Sequence, residues 1–153
     1  MPNGNRGILI REANESDLPA IQGLLTDLID TLEDAEGVDI EVAVRNFQRV
    51  LSDAASYFLV ADMNGMAVGF INFTIRQTVL HRSPSGLIDE LVVASGHRGK
   101  GVGRRLVLAA IEKCRALGCC EVEVSTEMTN IGASKFYERC GFEERGILLE
   151  ADL

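Results

Sequence analysis

The sequence predicts an α+β domain of layered α/β type, built on a mixed β-sheet. The chain has 153 residues, of which 46% are hydrophobic, and this suits one buried core. Strand-like segments dominate its middle, and helical patterns follow the fourth and fifth predicted strands. The predicted order is β-α-α-β-β-β-α-β-α-β. With no repeat or linker in the sequence, we expect a single domain over residues 1–153, with residues 1–7 as a flexible N-terminus.

The first strand and two helices follow from local signals. The segment Ile8–Ala13 predicts the first strand, and Ser16 or Asp17 can cap the first helix, with Pro19 in its first turn. Apolar residues then recur at helical spacing, at Leu18, Ile21, Leu24, Leu25, Leu28, Ile29 and Leu32. An acidic segment with Glu33, Asp34, Glu36 and Asp39 precedes a second helix, predicted over Ile40–Leu51.

The middle of the chain predicts a β-hairpin. Tyr57–Ala61 and Val68–Ile75 are rich in β-branched and aromatic residues, and they flank Asn64-Gly65. Asn-Gly between two such segments is a strong short-range hairpin signal. The remaining predicted elements are a strand at Leu87–Val93, a helix at Gly101–Leu117 ended by Gly118, a strand at Glu121–Thr126, a helix at Asn130–Arg139 and a last strand at Ile147–Ala151.

Composition excludes several classes of function. The net charge is −8, which disfavours general nucleic-acid binding, because that affinity depends on neutralising phosphates. No apolar segment reaches the ~18 residues that a membrane span needs, and the N-terminus lacks a secretion signal, so we expect a cytoplasmic protein without a membrane partner. The four cysteines and two histidines form no zinc pattern; the cysteines are expected to pack as small apolar residues, with no metal site.

A basic, glycine-rich loop interrupts this acidic background. It comprises Arg98, Gly99, Lys100, Gly101, Val102, Gly103 and Arg104, and it lies between a predicted strand and a predicted helix. The first turn of a helix has N–H groups without intrahelical partners, and glycines let an anion approach them closely. The loop therefore predicts a site for a phosphate or pyrophosphate.

Other interpretations of this loop are weaker. It lacks the Gly-Lys-Ser/Thr ending of a nucleotide-triphosphate loop. A dinucleotide-binding oxidoreductase would place its glycine loop after the first strand, whereas here a hairpin and two helices come first. A solvated glycine-rich turn without a ligand is a further alternative.

Two motifs together resemble the GNAT N-acetyltransferase superfamily. Arg98-x-x-Gly101-x-Gly103 resembles its acyl-CoA-binding signature. Ser125-Thr-Glu, followed by Asn130-x-x-Ala133-x-x-Phe136-Tyr137-x-x-x-Gly141-Phe142, resembles its second cofactor-side motif. The resemblance covers essentially the whole chain, and it implies a mostly antiparallel sheet with helices on both faces.

The resemblance implies that acetyl-CoA is the cosubstrate. Its pyrophosphate would bind the loop from Arg98 to Arg104. Free backbone N–H groups near Leu91, Val92 and Val93 would pair with the pantetheine arm and point at the thioester carbonyl. Asn130 and Ala133 would lie on the cofactor side, although Asn130 could equally serve as a plain helix cap.

Four side chains are candidates for proton transfer. Tyr137 occupies the position where family members place a general-acid tyrosine, and it is expected to act as that acid or to bind and orient the cofactor; the alternative is that its ring only packs. Asp89 and Glu90 are candidates to take the amine proton, or to make structural hydrogen bonds. Alternation along a strand predicts that they lie on opposite faces, so that only one reaches the acceptor. His81 is a weaker candidate.

These observations predict an N-acetyltransferase that moves an acetyl group from acetyl-CoA to a primary amine of a small molecule or peptide, by direct attack in a ternary complex. A non-catalytic acyl-CoA sensor and, less favoured, a dinucleotide-binding oxidoreductase are the alternatives. The acidic segment after the first helix favours a cationic acceptor. Members of this superfamily often form homodimers, but nothing in the sequence fixes an interface.

Overall fold

A computed structural model describes residues 7–31 and 37–153. The first six residues and most of the acidic segment, including Glu33, Asp34 and Glu36, lie outside this range. The helices and strands are β1 (Ile8–Glu12), a 3₁₀ turn (Glu15–Asp17), α1 (Leu18–Thr31), α2 (Ile40–Ser52), β2 (Ser56–Met63), β3 (Met66–Arg76), β4 (Ser85–Val93), a second 3₁₀ turn (Ser95–His97), α3 (Val102–Ala116), β5 (Glu121–Val124) and α4 (Ile131–Arg139).

The five strands form one sheet in the order β1-β2-β3-β4-β5. Strands β1 to β4 pair antiparallel, and β5 joins β4 in parallel, so the predicted mixed and mostly antiparallel sheet is confirmed. Asn64 and Gly65, with φ of 54° and 88°, form the tight turn between β2 and β3, as a two-residue hairpin with these residues requires. A dinucleotide-binding fold uses a mostly parallel sheet, so this topology argues against that alternative.

Each face of the sheet buries its own apolar core. Phe73 is fully buried on the face that α3 and α4 cover, and Phe70 is buried on the face that α1 and α2 cover. Because successive strand residues point to opposite faces, β3 contributes to both cores. The prediction of helices on both faces is therefore confirmed. Among the helices that the structure describes, none combines the length and apolar character needed to cross a bilayer.

Close packing of α3 depends on Gly86 of β4. A Cβ at Gly86 would lie 2.5 Å from Sγ of Cys114, which is buried in α3. Burial is the main reason that the pKa of Cys114 rises to about 12, so this thiol is uncharged and acts as a packing residue. Cys140 is buried as well, as expected, whereas Cys120 is exposed and does not match that expectation.

The start of α1 differs from the prediction. Asn14, and not Ser16 or Asp17, is the cap: its side chain accepts a hydrogen bond from the Ser16 N–H and starts the 3₁₀ turn. Asp17 instead accepts a hydrogen bond from the Asn14 N–H and a two-armed contact from Arg11. A capping box and an ion pair together explain why the chain turns earlier than the helical spacing indicates.

The predicted last strand is wrong. Residues 147–151 have no regular structure and join no strand, and Ile147 and Leu149 are 85% and 88% exposed. A strand is stable only when pairing and apolar burial repay the entropy of ordering it. Here the apolar side chains bury little, so local strand propensity is not sufficient. Strand β5 is also shorter than predicted, since it ends at Val124.

Candidate active site

Strands β4 and β5 separate halfway along β4. Their pairing runs from Ser85 opposite Glu121 to Ile88 opposite Val124, where β5 ends. Strand β4 continues to Val93. From Asp89 onward, β4 therefore has no strand on that side within the described residues, and its edge is open.

Two backbone N–H groups of β4 point to this open edge. The Ala94 N–H donates to the Val68 carbonyl, which sets the alternation of the β3–β4 ladder. The same alternation directs the Val92 N–H to β3 and the N–H groups of Leu91 and Val93 to the open side. The prediction for Val92 is therefore corrected: its N–H belongs to the sheet, and only Leu91 and Val93 can offer theirs to a ligand.

A β-bulge at Asp89 changes the direction of the two carboxylates. Asn72 pairs with Glu90 and Phe73 pairs with Ile88, so Asp89 is an extra residue without a partner on β3. A bulge interrupts the strict alternation of side chains. Asp89 and Glu90 consequently line the same cleft. The prediction that they lie on opposite faces is wrong for this reason.

The open edge of β4 borders a cleft of about 310 Å³. Its walls come from β4, from the segment after β5, from α4 and from one residue of α1. The residues that line it are Leu28, Asp89, Glu90, Leu91, Val92, Ser125, Thr126, Glu127, Asn130, Ala133 and Tyr137. All predicted site residues except Val93, His81 and those of the glycine-rich loop meet here.

Tyr137 of α4 is held by aromatic neighbours. Its ring is half-buried and makes edge contacts with Phe136 and Phe142, with centroids 5.1 Å and 5.5 Å away. No described residue forms a hydrogen bond with its hydroxyl group. Burial, with a smaller contribution from Cys140, raises the pKa of Tyr137, so its hydroxyl keeps its proton at neutral pH. The aromatic contacts therefore hold Tyr137 at the wall of the cleft with a protonated hydroxyl group.

Glu90 and Asp89 differ in their surroundings. Burial in the cleft raises the pKa of Glu90, and repulsion from Asp89 adds to this effect. No described residue donates a hydrogen bond to the Glu90 carboxylate. Asp89 instead accepts a hydrogen bond of 2.7 Å from Oγ1 of Thr74 on β3.

The glycine-rich loop leads from β4 into α3. Gly99 and Gly101 have φ of 71° and 82°, a left-handed conformation that side chains disfavour, and open space surrounds both. Helix α3 begins after Gly101 without a side-chain cap, so its first N–H groups have no capping partner. Lys100 bends back, and its Nζ lies 3.0 Å from the Gly96 carbonyl oxygen. This geometry suits an anion at the start of α3.

Not all predicted loop residues face such an anion. Val102 is 1% exposed and belongs to the core, so only its backbone is available. Arg104 donates a hydrogen bond of 2.8 Å to the carbonyl of Arg139 and thereby caps the end of α4. Gly103 lies against the ring of Phe136, where a Cβ would be 3.4 Å away. Gly103 and Arg104 thus join α3 to α4.

Two other predicted side chains have structural contacts. The Asn130 side chain accepts a hydrogen bond of 3.0 Å from the Ala133 N–H, so it caps α4 while lining the cleft. His81 lies 3.1 Å from a carboxylate oxygen of Glu121, at the opposite end of β5 from the cleft. It is not among the residues that line the cleft.

Sequence reasoning missed Leu28 and Thr74 as site residues, and it named Ser125, Thr126 and Glu127 only as part of the second motif. In the sequence, Leu28 is only one of several apolar residues at helical spacing in the first predicted helix. Glu127 belongs to the Ser125-Thr-Glu segment, and its place in the cleft depends on β5 ending at Val124. Thr74 reaches Asp89 only because of the bulge, for which the sequence has no signal.

Comparison with known proteins identifies a family model and several acetyltransferases that are similar to this chain. The family model described as "Acetyltransferase (GNAT) family" matches residues 22–142. The aminoalkylphosphonate N-acetyltransferase of Salmonella typhimurium is 28% identical over 135 residues, which are 88% of this chain and 84% of that protein. The aminoglycoside N(6')-acetyltransferase type 1 of Stenotrophomonas maltophilia is 29% identical over 69% of this chain and 72% of its own length.

A solved structure shows the same fold. The glucosamine-6-phosphate N-acetyltransferase of Arabidopsis thaliana superimposes with a TM-score of 0.76 and 25% identity, over 95% of this chain and 97% of that chain. The family model covers well over half of the residues, and it includes both motifs on which the resemblance depends. The chain therefore belongs to the GNAT family and is an acetyltransferase.

Proposed function

We propose that this acetyltransferase moves an acetyl group from acetyl-CoA to a primary amine of a small molecule or peptide, by direct attack in a ternary complex. The observation that carries the proposal is the cleft itself. It joins the open edge of β4, a half-buried tyrosine and two carboxylates in one space. These are the groups that acyl transfer to an amine requires: N–H donors for the carbonyl oxygen, an acid for the leaving group and a base for the amine.

The chain has two features that fit an acyl-CoA, which GNAT enzymes use. The left-handed glycines and uncapped N–H groups before α3, with Arg98 and Lys100 beside them, suit the pyrophosphate. The N–H groups of Leu91 and Val93 suit an extended amide arm laid along the open edge of β4. Bound acetyl-CoA would supply an activated acetyl group as a thioester.

The backbone of β4 would assist the transfer electrostatically. As the amine attacks, negative charge grows on the carbonyl oxygen of the acetyl group. An N–H group from Leu91 or Val93, fixed by the sheet before the reaction starts, stabilises this charge without reorganisation. No side chain is needed for this role, which agrees with the apolar sequence of this part of β4.

Proton transfer would use both walls of the cleft. An amine arrives as an ammonium ion, and one of its protons passes to a carboxylate of the Asp89–Glu90 pair and then to water. The neutral amine forms the C–N bond while the C–S bond breaks. The thiolate takes the Tyr137 proton, and Tyr137 recovers the proton that the nitrogen loses. The products are an amide, a free thiol and one proton, so the step balances.

The charge of the cleft favours a cationic acceptor. Asp89, Glu90 and Glu127 line it, and no Arg or Lys is among the described residues that do so. A polyamine or an aminoglycoside would gain from this field, whereas an aminophosphonate would be repelled. We therefore expect this chain to resemble its aminoglycoside-modifying relative in acceptor charge more than its aminoalkylphosphonate-modifying relative.

A thiol-release assay tests the proposal. Acetyl-CoA is supplied with kanamycin A, spermidine or 2-aminoethylphosphonate, and the free thiol is measured. We expect turnover, with a higher kcat/KM for the two cationic amines than for the phosphonate. Tyr137→Phe should lower kcat by about 10²-fold or more. Tyr57→Phe, at the only other tyrosine, should change it little.

Binding without turnover would overturn the proposal. If acetyl-CoA raises the melting temperature but no amine releases thiol, the sensor alternative holds instead. Full activity of Tyr137→Phe across the pH range would overturn the general-acid role alone.

A further inference from the structure

The hydrogen bond between Thr74 and Asp89 ties the bulge of β4 to its neighbour. Oγ1 of Thr74 lies 2.7 Å from Oδ2 of Asp89. Thr74 pairs with Leu87 in the ladder, whereas Asp89 is the extra residue and has no partner on β3. The Thr74 hydroxyl is therefore the contact by which β3 holds this side chain.

The Thr74 hydroxyl contacts Oδ2 of Asp89, and no described residue donates a hydrogen bond to Oδ1 of this cleft-lining residue. A hydroxyl donor fixes the rotamer of the carboxylate, so Oδ1 is presented in one direction. Glu90, by contrast, accepts no hydrogen bond from the described residues, and both of its oxygens can take a proton. The two adjacent carboxylates are thus unequal, one held and one free.

The charged groups around Asp89 do not neutralise it. On β3, Arg76 lies two positions beyond Thr74, and its guanidinium forms an ion pair of 2.5 Å with Glu123 of β5. The segment after β5 contributes Glu127, and α4 contributes Tyr137, both at the cleft. The residue of α1 that lines the cleft is Leu28, which carries no charge. Within the described residues, Asp89 is left for a cationic ligand.

We propose that Thr74 is a positioning residue for acceptor binding: it holds Asp89 as a fixed anion that receives the ammonium group, and it leaves Glu90 as the group that takes the proton. This inference rests on the proposed function. It assigns different steps to the two carboxylates, since Asp89 contributes to binding and Glu90 to chemistry. The raised pKa of Glu90 agrees with this division, because a carboxylate with a raised pKa is the better base.

Isosteric substitution at Thr74 separates these steps. The probe is whichever of kanamycin A and spermidine gives the higher kcat/KM with the unmodified enzyme. Thr74→Val removes the hydroxyl and keeps the shape, and we expect KM for the amine to rise about ten-fold, as losing a hydrogen bond to a charged group predicts. The values of kcat and of KM for acetyl-CoA should stay within about two-fold of those of the unmodified enzyme. Thr74→Ser should restore KM, because the hydroxyl returns.

A double-mutant cycle with Asp89→Asn shows whether Thr74 acts through Asp89. Asp89→Asn should raise KM for the amine at least as much as Thr74→Val, and the double variant should be no worse than Asp89→Asn alone. Glu90→Gln should lower kcat with little change in KM. Thr78→Val, in the exposed loop before β4, is the matched control and should match the unmodified enzyme.

Three results would overturn the inference while the proposed function stands. These are a fall in kcat with unchanged KM in Thr74→Val, failure of Thr74→Ser to restore KM, and additive effects of Thr74→Val and Asp89→Asn. Absence of thiol release by the unmodified enzyme with every amine would instead overturn the proposed function, and this inference with it.

Discussion

Arg98 lies along the open edge of β4, because its Nε donates a hydrogen bond of 3.1 Å to the carbonyl oxygen of Val93. This carbonyl points to the same side as the Val93 N–H group. The Arg98 side chain therefore connects the two regions that we assign to acetyl-CoA, the strand edge and the glycine-rich loop. A bound amide arm and the arginine would compete for one acceptor, so binding should redirect the guanidinium toward the phosphates.

Substitution of Arg98 should weaken acetyl-CoA binding and leave the chemistry intact. Arg98→Ala removes a charge-assisted contact to phosphate, and we expect KM for acetyl-CoA to rise roughly 10- to 100-fold with kcat little changed. The measurement is steady-state thiol release at varied acetyl-CoA. Arg115→Ala, at the exposed far end of α3, is the control for general charge loss. An unchanged KM would exclude Arg98 from the cofactor site.

The pH dependence of kcat should report Glu90. Burial and the neighbouring Asp89 raise its pKa above the ordinary value of 4.5, so the base takes up a proton at higher pH than an ordinary glutamate. We expect kcat to fall on the acidic side with a midpoint above 4.5, and Glu90→Gln to lose both most of kcat and this acidic limb.

The titratable groups that line the cleft with Glu90 are Asp89, Glu127 and Tyr137, and substitutions of the two carboxylates serve as controls. Glu127→Gln should keep the acidic limb, and Asp89→Asn should move it to lower pH, because a repelling charge is removed. An acidic limb that persists unchanged in Glu90→Gln would show that another group takes the proton.

Filling the space at Gly86 should destabilise the fold. An alanine Cβ would meet the Cys114 sulfur at 2.5 Å, far inside van der Waals contact. Overpacking of this kind costs about 1–3 kcal/mol, which lowers Tm by roughly 2–4 °C per kcal/mol in a chain of this size. Thermal unfolding measures the shift.

A second substitution identifies the cause. Cys114→Ala removes the sulfur, so Gly86→Ala combined with Cys114→Ala should be more stable than Gly86→Ala alone. Gly96→Ala, where no atom lies within 4 Å, should change Tm little. If the double variant were less stable than Gly86→Ala, the contact with Cys114 would not be the reason.

The ion pair of Arg11 with Asp17 should make the free energy of unfolding depend on pH. The side chain of Asp17 is 5% exposed, and the hydrogen bonds from Arg11 lower the pKa of its carboxyl below 3.8, although burial opposes this. A carboxyl whose pKa is lower in the folded state than in the unfolded state stabilises the fold at any pH above its unfolded-state pKa. This stabilisation is lost as the pH falls through the folded-state pKa. Asp17→Asn should therefore cost roughly 2–4 kcal/mol near pH 7 and much less well below pH 3.8.

Denaturant unfolding at several pH values measures this difference. Asp39→Asn is the control, because Asp39 caps α2 and asparagine caps as well as aspartate does. An equal loss for Asp17→Asn at every pH would show that shape, and not charge, is responsible.

Local chemistry made much of the fold and the loop predictable. Asn64-Gly65 predicts its turn because few residues accept positive φ, and Gly101 predicts the start of α3 for the same reason. Asn130 and Tyr137 were expected from the motif in which they stand, and the structure has both at the cleft. By contrast, Ile147–Ala151 has strand propensity without a partner, and propensity alone does not form a strand.

The sequence by itself determined the order of elements, the two-faced sheet, the position of the glycine-rich loop and the family, because these depend on residue types at fixed spacings. Only the tertiary structure decided where β5 leaves β4, and thus which N–H groups are open. It also decided that Asp89 and Glu90 share a cleft and that Thr74 holds one of them. A bulge and a strand end arise from pairing between distant segments, which no local pattern encodes.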